Sequence, residues 1–376
     1  MSIDSSKHSE LKILHLSSQM TWRGGEQQIA YLISELVKKK CQQWVLCAKG
    51  NAMSDYCKKN QIPSFVYQKG IKNFFRNQKI IRQICDEQGI DVVHAHDSKS
   101  HTLAFINTLF GKLRSAIVVS RRVDFAIHSS ILSKWKYNNK FIKKYICVSN
   151  AIKEILAEGV KDKSKLAVVH SGIDLDRFST EYTKGLLRKE LQISSDELII
   201  GNVAALADHK DYYTFIDTVK LLKAKGLKAK YLVVGDGPLK NDIQKYAVLK
   251  SLQEDIIFTG FRADIPIVLA DFDIFLFTSK TEGLGTSVLD AMASAVPIVS
   301  TNAGGIPEII QHEINGLLCN VGDSECLAES VLRLVNDIIL RDTLVQNARE
   351  RVKAFSTFST ALQTWNIYCD FSSPQS

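Results

Sequence analysis

Asp273 to Ser294 reads DIFLFTSKTEGLGTSVLDAMAS, and the order of residue types within it decides the fold. The apolar run Asp273 to Thr278 has no strict polar alternation, the pattern of a strand buried on both faces of a parallel sheet. A polar loop follows, Ser279-Lys280-Thr281-Glu282-Gly283-Leu284-Gly285-Thr286, and a helix is expected over Ser287 to Ser294. Strand, glycine-bearing loop and helix in that order form half of a βαβ unit. The first N–H groups of a helix have no intrahelical partner and carry partial positive charge. Gly283 and Gly285 leave room beside them, so Thr286 and Ser287 can present N–H groups to a diphosphate. Glu282 suits sugar hydroxyls rather than phosphate, although a solvated loop acid is the plainer reading of that residue alone. Asp290, about one turn into the helix, is placed to grip another hydroxyl-bearing part of one extended ligand.

The same rhythm extends both ways. Downstream, Pro297 to Ser300 and Gly316 to Cys319 read as strands, and Ala303-Gly304-Gly305-Ile306-Pro307-Glu308 is a second glycine-bearing connection with Pro in a first helical turn. Upstream, Leu198 to Val203, Lys230 to Val234 and Asp255 to Thr259 complete a second α/β half. A polar stretch near Asp174 to Glu197 separates it from a first half. There Leu11 to Ser17, Gln43 to Lys49, Ser64 to Gln68, Asp91 to His96, Ala116 to Arg121, Lys144 to Ser149 and Lys165 to His170 read as strands. Ile29, Leu32, Ile33 and Leu36 fall at helical spacing between them. The expected architecture is α/β, with two Rossmann-like domains facing a central cleft. The first spans 1–177, with the helix 357–376, which carries Trp365 and Tyr368, packing back on it; the second spans 195–355.

The chain has 376 residues, 45% of them hydrophobic, enough to bury two cores and to exclude wholesale disorder. A net charge of +8 favours phosphate-bearing partners without choosing among nucleotides, anionic lipids and nucleic acid. Cys41, Cys47, Cys57, Cys85, Cys147, Cys319, Cys326 and Cys369 show none of the close pairs of a structural zinc site, so free thiols in a reducing compartment are expected. Met1 to Glu10 is polar where a signal peptide needs an apolar core, and no uninterrupted apolar stretch of about 18 residues occurs. A cytoplasmic protein is the expectation.

In the first half, Gly24 and Gly25 open a helix after the first strand, as a plain turn or as a backbone approach to a ligand. They are not the dinucleotide fingerprint. Taken together, Glu282 to Asp290, Ala291, Met292, Pro297 and the Gly304-Gly305-Ile306-Pro307-Glu308 run resemble the retaining GT-B glycosyltransferases of family 4, also called group 1. The resemblance covers nearly the whole chain. Val169-His170-Ser171-Gly172-Ile173-Asp174 looks like that family's interdomain element, with Ser171 for the usual Asn.

The resemblance implies an enzyme whose nucleotide-diphosphate sugar is held mainly by the second domain, with no cofactor and no metal. Glu282 would bind the donor sugar, Asp290, where Glu is usual, the ribose, and Lys210 the phosphates. Ala205 stands where a second basic residue is common, and Arg262 lies in a segment resembling the lining of the base pocket. His96 matches the histidine near the donor sugar, with His94 deeper in the same strand. One of Arg121 and Arg122 would face acceptor or diphosphate, and the sequence does not choose. The acceptor would be a glycan or a lipid-linked molecule in cell-envelope polysaccharide or lipopolysaccharide synthesis. A nucleotide-sugar epimerase or hydrolase, and a non-catalytic anion-binding protein, are the competing readings. Lys134, Trp135, Lys136, Tyr137, Lys140, Phe141, Lys143 and Lys144 form a basic-aromatic segment that suits peripheral contact with an anionic membrane better than nucleic acid, which is not expected as a partner.

Overall fold

A computed structural model of the chain describes residues 11–110, 113, 115–127, 130–178 and 184–371. The polar leader Met1 to Glu10 lies outside the described residues. The chain divides into two compact units, Met1–Gly172 with Thr357–Ser376, and Ile173–Ser356.

The first unit alternates strand and helix: β1 (Lys12–Ser17), α1 (Gly24–Lys38), β2 (Gln42–Ala48), α2 (Ala52–Lys59), β3 (Ser64–Tyr67), α3 (Phe74–Gln88), β4 (Val92–Ala95), α4 (Ser98–Phe110), β5 (Ala116–Arg121), α5 (Ile131–Tyr137), β6 (Ile142–Cys147), α6 (Asn150–Ala157) and β7 (Leu166–Val168). All pairings are parallel, in the order β3-β2-β1-β4-β5-β6-β7. Parallel strands need crossovers, which cover the sheet with helices and explain the unbroken apolar runs. The strand expected over Lys144 to Ser149 begins earlier, at Ile142. Lys143 and Lys144 hide its start, because Lys143 is exposed and Lys144 reaches the Ser164 carbonyl at 3.2 Å while Ile142 is buried.

The second unit runs α7 (Leu186–Glu190), β8 (Leu198–Val203), α8 (Tyr212–Ala224), β9 (Ala229–Val234), α9 (Lys240–Leu249), β10 (Ile256–Gly260), α10 (Ile265–Ala270), β11 (Ile274–Phe277), α11 (Thr286–Ala293), β12 (Ile298–Thr301), α12 (Ile306–Ile309), β13 (Leu317–Cys319), α13 (Ser324–Asn336) and α14 (Ile338–Val352). Its parallel sheet is ordered β10-β9-β8-β11-β12-β13. Ile200, Phe215, Val219, Leu276, Val299 and Leu334 meet in its core. Two Rossmann-like domains result, the GT-B fold class.

The polar stretch near Asp174 to Glu197, read above as a joint, sits in the second unit where it is described. The Asp271 carboxylate accepts from the N–H groups of Gly185, Leu187 (2.7 Å) and Arg188 (3.0 Å), which seats α7. Charged residues outside a helix therefore serve as its cap, a role composition alone does not reveal. The last helix, α15 (Thr357–Cys369), belongs to the first unit, where Trp365 and Tyr368 join Leu11, Ile13, Leu36 and Val118 in one core. Cys319 and Cys326 form a disulfide, so the expectation of eight free thiols is corrected for these two. Cys326 lies in the first turn of α13, the helix that follows β13, within reach of Cys319. Cys41, Cys47, Cys57, Cys85 and Cys147 are free and buried, and burial raises each thiol well above its ordinary pKa.

Candidate active site

In an open parallel sheet, two strands whose connections leave toward opposite edges create a crevice at their carboxyl ends. Each unit has one such point, between β1 and β4 and between β8 and β11.

In the second unit, Lys210 follows β8 and Glu282 follows β11, and their ammonium and carboxylate form an ion pair with both side chains largely buried. Ser279 donates to the same carboxylate oxygen at 2.7 Å. Backbone contacts lock the two loops together. Lys280 N–H donates to the His209 carbonyl at 2.8 Å, and Thr278 Oγ1 lies 3.0 Å from the Asp211 carbonyl. Lys210 Nζ also lies 5.2 Å from the centre of the Phe277 ring, a cation–π distance. The Glu282 carbonyl accepts from Gly305 N–H at 3.0 Å. At Gly304, with φ of +52°, an added Cβ would fall 2.1 Å from that carbonyl. The second glycine pair thus supports Glu282 by letting backbone press against backbone.

Gly285 (φ +92°) is required by packing as well, because a Cβ there would strike Ile306. Thr286 opens α11, one residue earlier than expected, and Gly283 and Leu284 lie between it and Glu282. Asp290 is on α11, which packs against the turn Leu175–Phe178. Burial pushes its carboxyl up to about 7, opposed by the charge of Arg177. Arg262, expected in a segment that lines a base pocket, is engaged by two carboxylates. Its guanidinium is held by Glu190, with Nη2 to Oε2 at 3.0 Å, and by Asp264 at 2.9 and 2.7 Å. Each guanidinium nitrogen already has a carboxylate partner, and these hold its pKa above the ordinary arginine value. A separate hollow of about 730 Å³ is lined by Leu175, Phe178, Val345, Arg349 and Lys353, and neither Lys210 nor Glu282 borders it.

In the first unit, Ser18 follows β1 and His96 and Asp97 follow β4. Ser18 donates to Asp97 from its N–H at 2.8 Å and from its hydroxyl at 2.5 Å, closing the crevice point. Gly24 and Gly25 begin α1, and a Cβ at either would meet nothing within 4 Å. The space beside them is open. Arg122 donates to the His96 carbonyl at 3.0 Å, and its Nη2 lies 3.5 Å from His96 Nδ1. Arg121 points elsewhere, to the Tyr137 hydroxyl at 3.1 Å and the Phe125 carbonyl. Of the two arginines, Arg122 is the one in contact with His96. Burial lowers its pKa to about 10, against the charges of Glu26 and Asp97, while burial raises that of Glu26.

Among the described residues, His15, His94 and His96 form a group with metal-ligand spacing, each offering a nitrogen within 4.8 Å of the others. The chemistry fits a hydrogen-bonded cluster better. His15 Nδ1 and His96 Nε2 are 2.9 Å apart, His15 Nε2 and Gln43 Oε1 3.1 Å, and His94 pairs with the Tyr368 hydroxyl at 2.5 Å and with Ser120 Oγ at 2.8 Å. The Arg122 guanidinium at the edge of the cluster opposes a second cation. Burial lowers the pKa of all three, to about 4 for His15, so the rings are neutral.

Sequence reading missed Ser279, His15, Gln43 and Glu26. Ser279 opens the quoted glycine loop, and its place three residues before Glu282 was the signal. His15 and Gln43 lie within apolar strands and had none.

Two family models match the chain, one over each half: Glycosyltransferase Family 4 over residues 22–177 and Glycosyl transferases group 1 over residues 183–351. The chain is 25% identical to the UDP-Gal:alpha-D-GlcNAc-diphosphoundecaprenol alpha-1,3-galactosyltransferase of Escherichia coli, over 97% of this chain and 98% of that protein. A glycosyltransferase of Rickettsia africae superposes with a TM-score of 0.85 at 22% identity, covering 96% of this chain and 98% of the other. HepE of Anabaena in complex with UDP-glucose superposes with a TM-score of 0.82 at 20% identity, covering 96% of this chain and all (100%) of that one.

Proposed function

We propose that this chain, which belongs to the glycosyltransferases of the GT-B fold, is a metal-independent retaining enzyme that moves a sugar from a nucleotide-diphosphate donor to a lipid-linked glycan acceptor. The observation that carries the donor reading is the Lys210–Glu282 pair at the switch point of the second sheet. The ammonium and the carboxylate compensate each other's charge. A diphosphate entering there competes for the ammonium, and the released carboxylate accepts from hydroxyls of the attached sugar. Lys210 and the first N–H groups of α11 then meet the charge that grows on the departing nucleotide.

Retention follows if the acceptor hydroxyl enters on the face the nucleotide leaves. The acceptor oxygen bonds to the anomeric carbon as the carbon–oxygen bond to phosphate breaks, and the acceptor proton passes to a phosphate oxygen. No protein nucleophile is needed. Asp290 would hold the ribose, and His96 with Arg122 would serve the reacting sugar.

The lipid-linked acceptor draws support from a surface of the first unit. Phe125, Ile131 and Leu132 are 71%, 86% and 71% exposed, beside Lys134 and a half-exposed Trp135. Tyr137, read above as part of the same segment, is instead buried against Tyr145. Such a face suits the interface of an anionic membrane at its cytoplasmic side. No helix among the described residues is long and apolar enough to cross a membrane.

The test is a transfer assay with UDP-galactose, UDP-glucose and UDP-N-acetylglucosamine against N-acetylglucosamine-diphosphoundecaprenol, with and without EDTA. The expected result is an α-linked product, unchanged by chelation. Free sugar without acceptor product would replace this reading with a hydrolase, and binding without any turnover would replace it with an anion-binding protein.

A further inference from the structure

The histidine cluster of the first unit carries more information than the position of His96. It contains two fixed ends. At one end Gln43 Nε2 donates to the Ile33 carbonyl at 3.1 Å. That carbonyl can only accept, so the Gln43 side chain is oriented with Oε1 toward His15 Nε2, 3.1 Å away. An amide oxygen also only accepts, so His15 carries its proton on Nε2. A neutral imidazole then has its lone pair on Nδ1, and that atom faces His96 Nε2 at 2.9 Å. His96 must therefore donate from Nε2 and keep its own lone pair on Nδ1. At the other end stands Arg122, a pure donor, with Nη2 3.5 Å from His96 Nδ1. Every link from Ile33 to Arg122 has one direction, and the two ends agree.

We infer that His15, oriented by Gln43, is a positioning residue that fixes His96 as the Nε2–H tautomer and makes Nδ1 the one His96 ring atom able to accept a hydrogen bond, from Arg122 Nη2 as observed or from a substrate hydroxyl that takes its place. The tautomer assignment rests on the hydrogen-bond geometry of rings kept neutral by burial, and the substrate part rests on the glycosyltransferase reading above. His15 and His94 face each other in register on β1 and β4, which sets the depth at which His96 emerges one residue beyond β4. His94, held by Tyr368 and Ser120, packs 3.9 Å from the His96 ring centre and keeps it from turning over.

Long-range proton–nitrogen correlation spectra of the full chain labelled with ¹⁵N in histidine test the first part without any substrate. His15→Gln and His96→Gln assign the signals. The expected result at neutral pH is a proton-bearing Nε2 and a bare Nδ1 on both rings, with Gln43→Leu giving mixed tautomers. A proton on His96 Nδ1, or no change in Gln43→Leu, overturns the inference. The second part is read in turnover with UDP-galactose and the lipid-linked acceptor. His15→Phe removes the acceptor for His96 Nε2–H and is expected to lower kcat roughly 10- to 100-fold with little change in KM. His15→Gln, whose amide oxygen can accept in its place, is expected to recover most of that loss. Equal loss in the two variants overturns it. If no donor turns over, the catalytic reading fails while the spectra still decide the tautomer.

Discussion

The two switch points of this molecule solve the same problem with opposite chemistry. In the second unit an ammonium and a carboxylate meet, and the loops that carry them are held by backbone hydrogen bonds and by a glycine that permits direct contact of main chains. In the first unit the groups are neutral imidazoles in a buried chain that ends on a guanidinium. The difference teaches what each site asks of its surroundings. A charged pair tolerates a mobile, exchangeable ligand because charge acts over several ångströms. A chain of neutral donors and acceptors works only at hydrogen-bond length and needs a rigid frame.

The contrast is broken most severely by removing the charges. Lys210→Ala is expected to lower kcat/KM about 10²- to 10³-fold, as loss of a transition-state donor does. Because Lys210 and Glu282 act as one unit, Lys210→Ala combined with Glu282→Ala should be little worse than either alone. Independent, multiplying losses in the transfer assay would show that the pair is not a site. Next comes the frame of the second site: Gly304→Ala places a methyl against the Glu282 carbonyl in a left-handed backbone position. A loss of about 3 kcal/mol is expected in urea unfolding of the second unit's transition.

A covalent tie sharpens the same comparison. The Cys319–Cys326 disulfide closes a short loop at the end of β13, whose Cys319 carbonyl accepts from Asn302 N–H at 2.8 Å beside the glycine pair. Cys319→Ser with Cys326→Ser should cost about 2 kcal/mol, read as a lower melting temperature. In the first unit, Tyr368→Phe removes only the hydroxyl beside His94, and about 1 kcal/mol is expected by thermal melting. The remaining effect concerns pH. Asp290 in the folded chain holds its proton up to about pH 7, far above an unfolded aspartate. Its contribution to stability is thus fully present below the unfolded pKa and is lost as pH rises through about 7. Asp290→Asn should flatten the fall in melting temperature between about pH 4 and about pH 7, and an unchanged slope there would remove Asp290 as its source.

How much of this was legible in the sequence depends on the range of the interactions. Strand positions were readable almost everywhere, because an apolar run such as Leu198 to Val203 reports burial directly. Glu282 was singled out from a loop pattern, which is local, and Lys210 only through the family resemblance. Their direct pairing was not, since it joins residues 72 positions apart. The contacts of Arg262 were hidden for a related reason: its partner Glu190 lies in a stretch that composition presented as a joint. His15 and Gln43 were invisible because a polar residue inside an apolar strand looks like an imperfection until its cross-strand partners are known. The disulfide escaped notice because spacing alone does not show which cysteines a turn brings together.

The placement of α15 bears on how this chain is made. A ribosome releases the first unit's sheet early, yet the helix bearing Trp365 and Tyr368 emerges only after the second unit. The second unit is contiguous in sequence and can close before that helix exists. During synthesis the older half must therefore wait, with the surface around Leu11, Leu36 and Val118 uncovered, until the younger half is finished. A stalled or truncated chain would expose that apolar surface, marking it for chaperones.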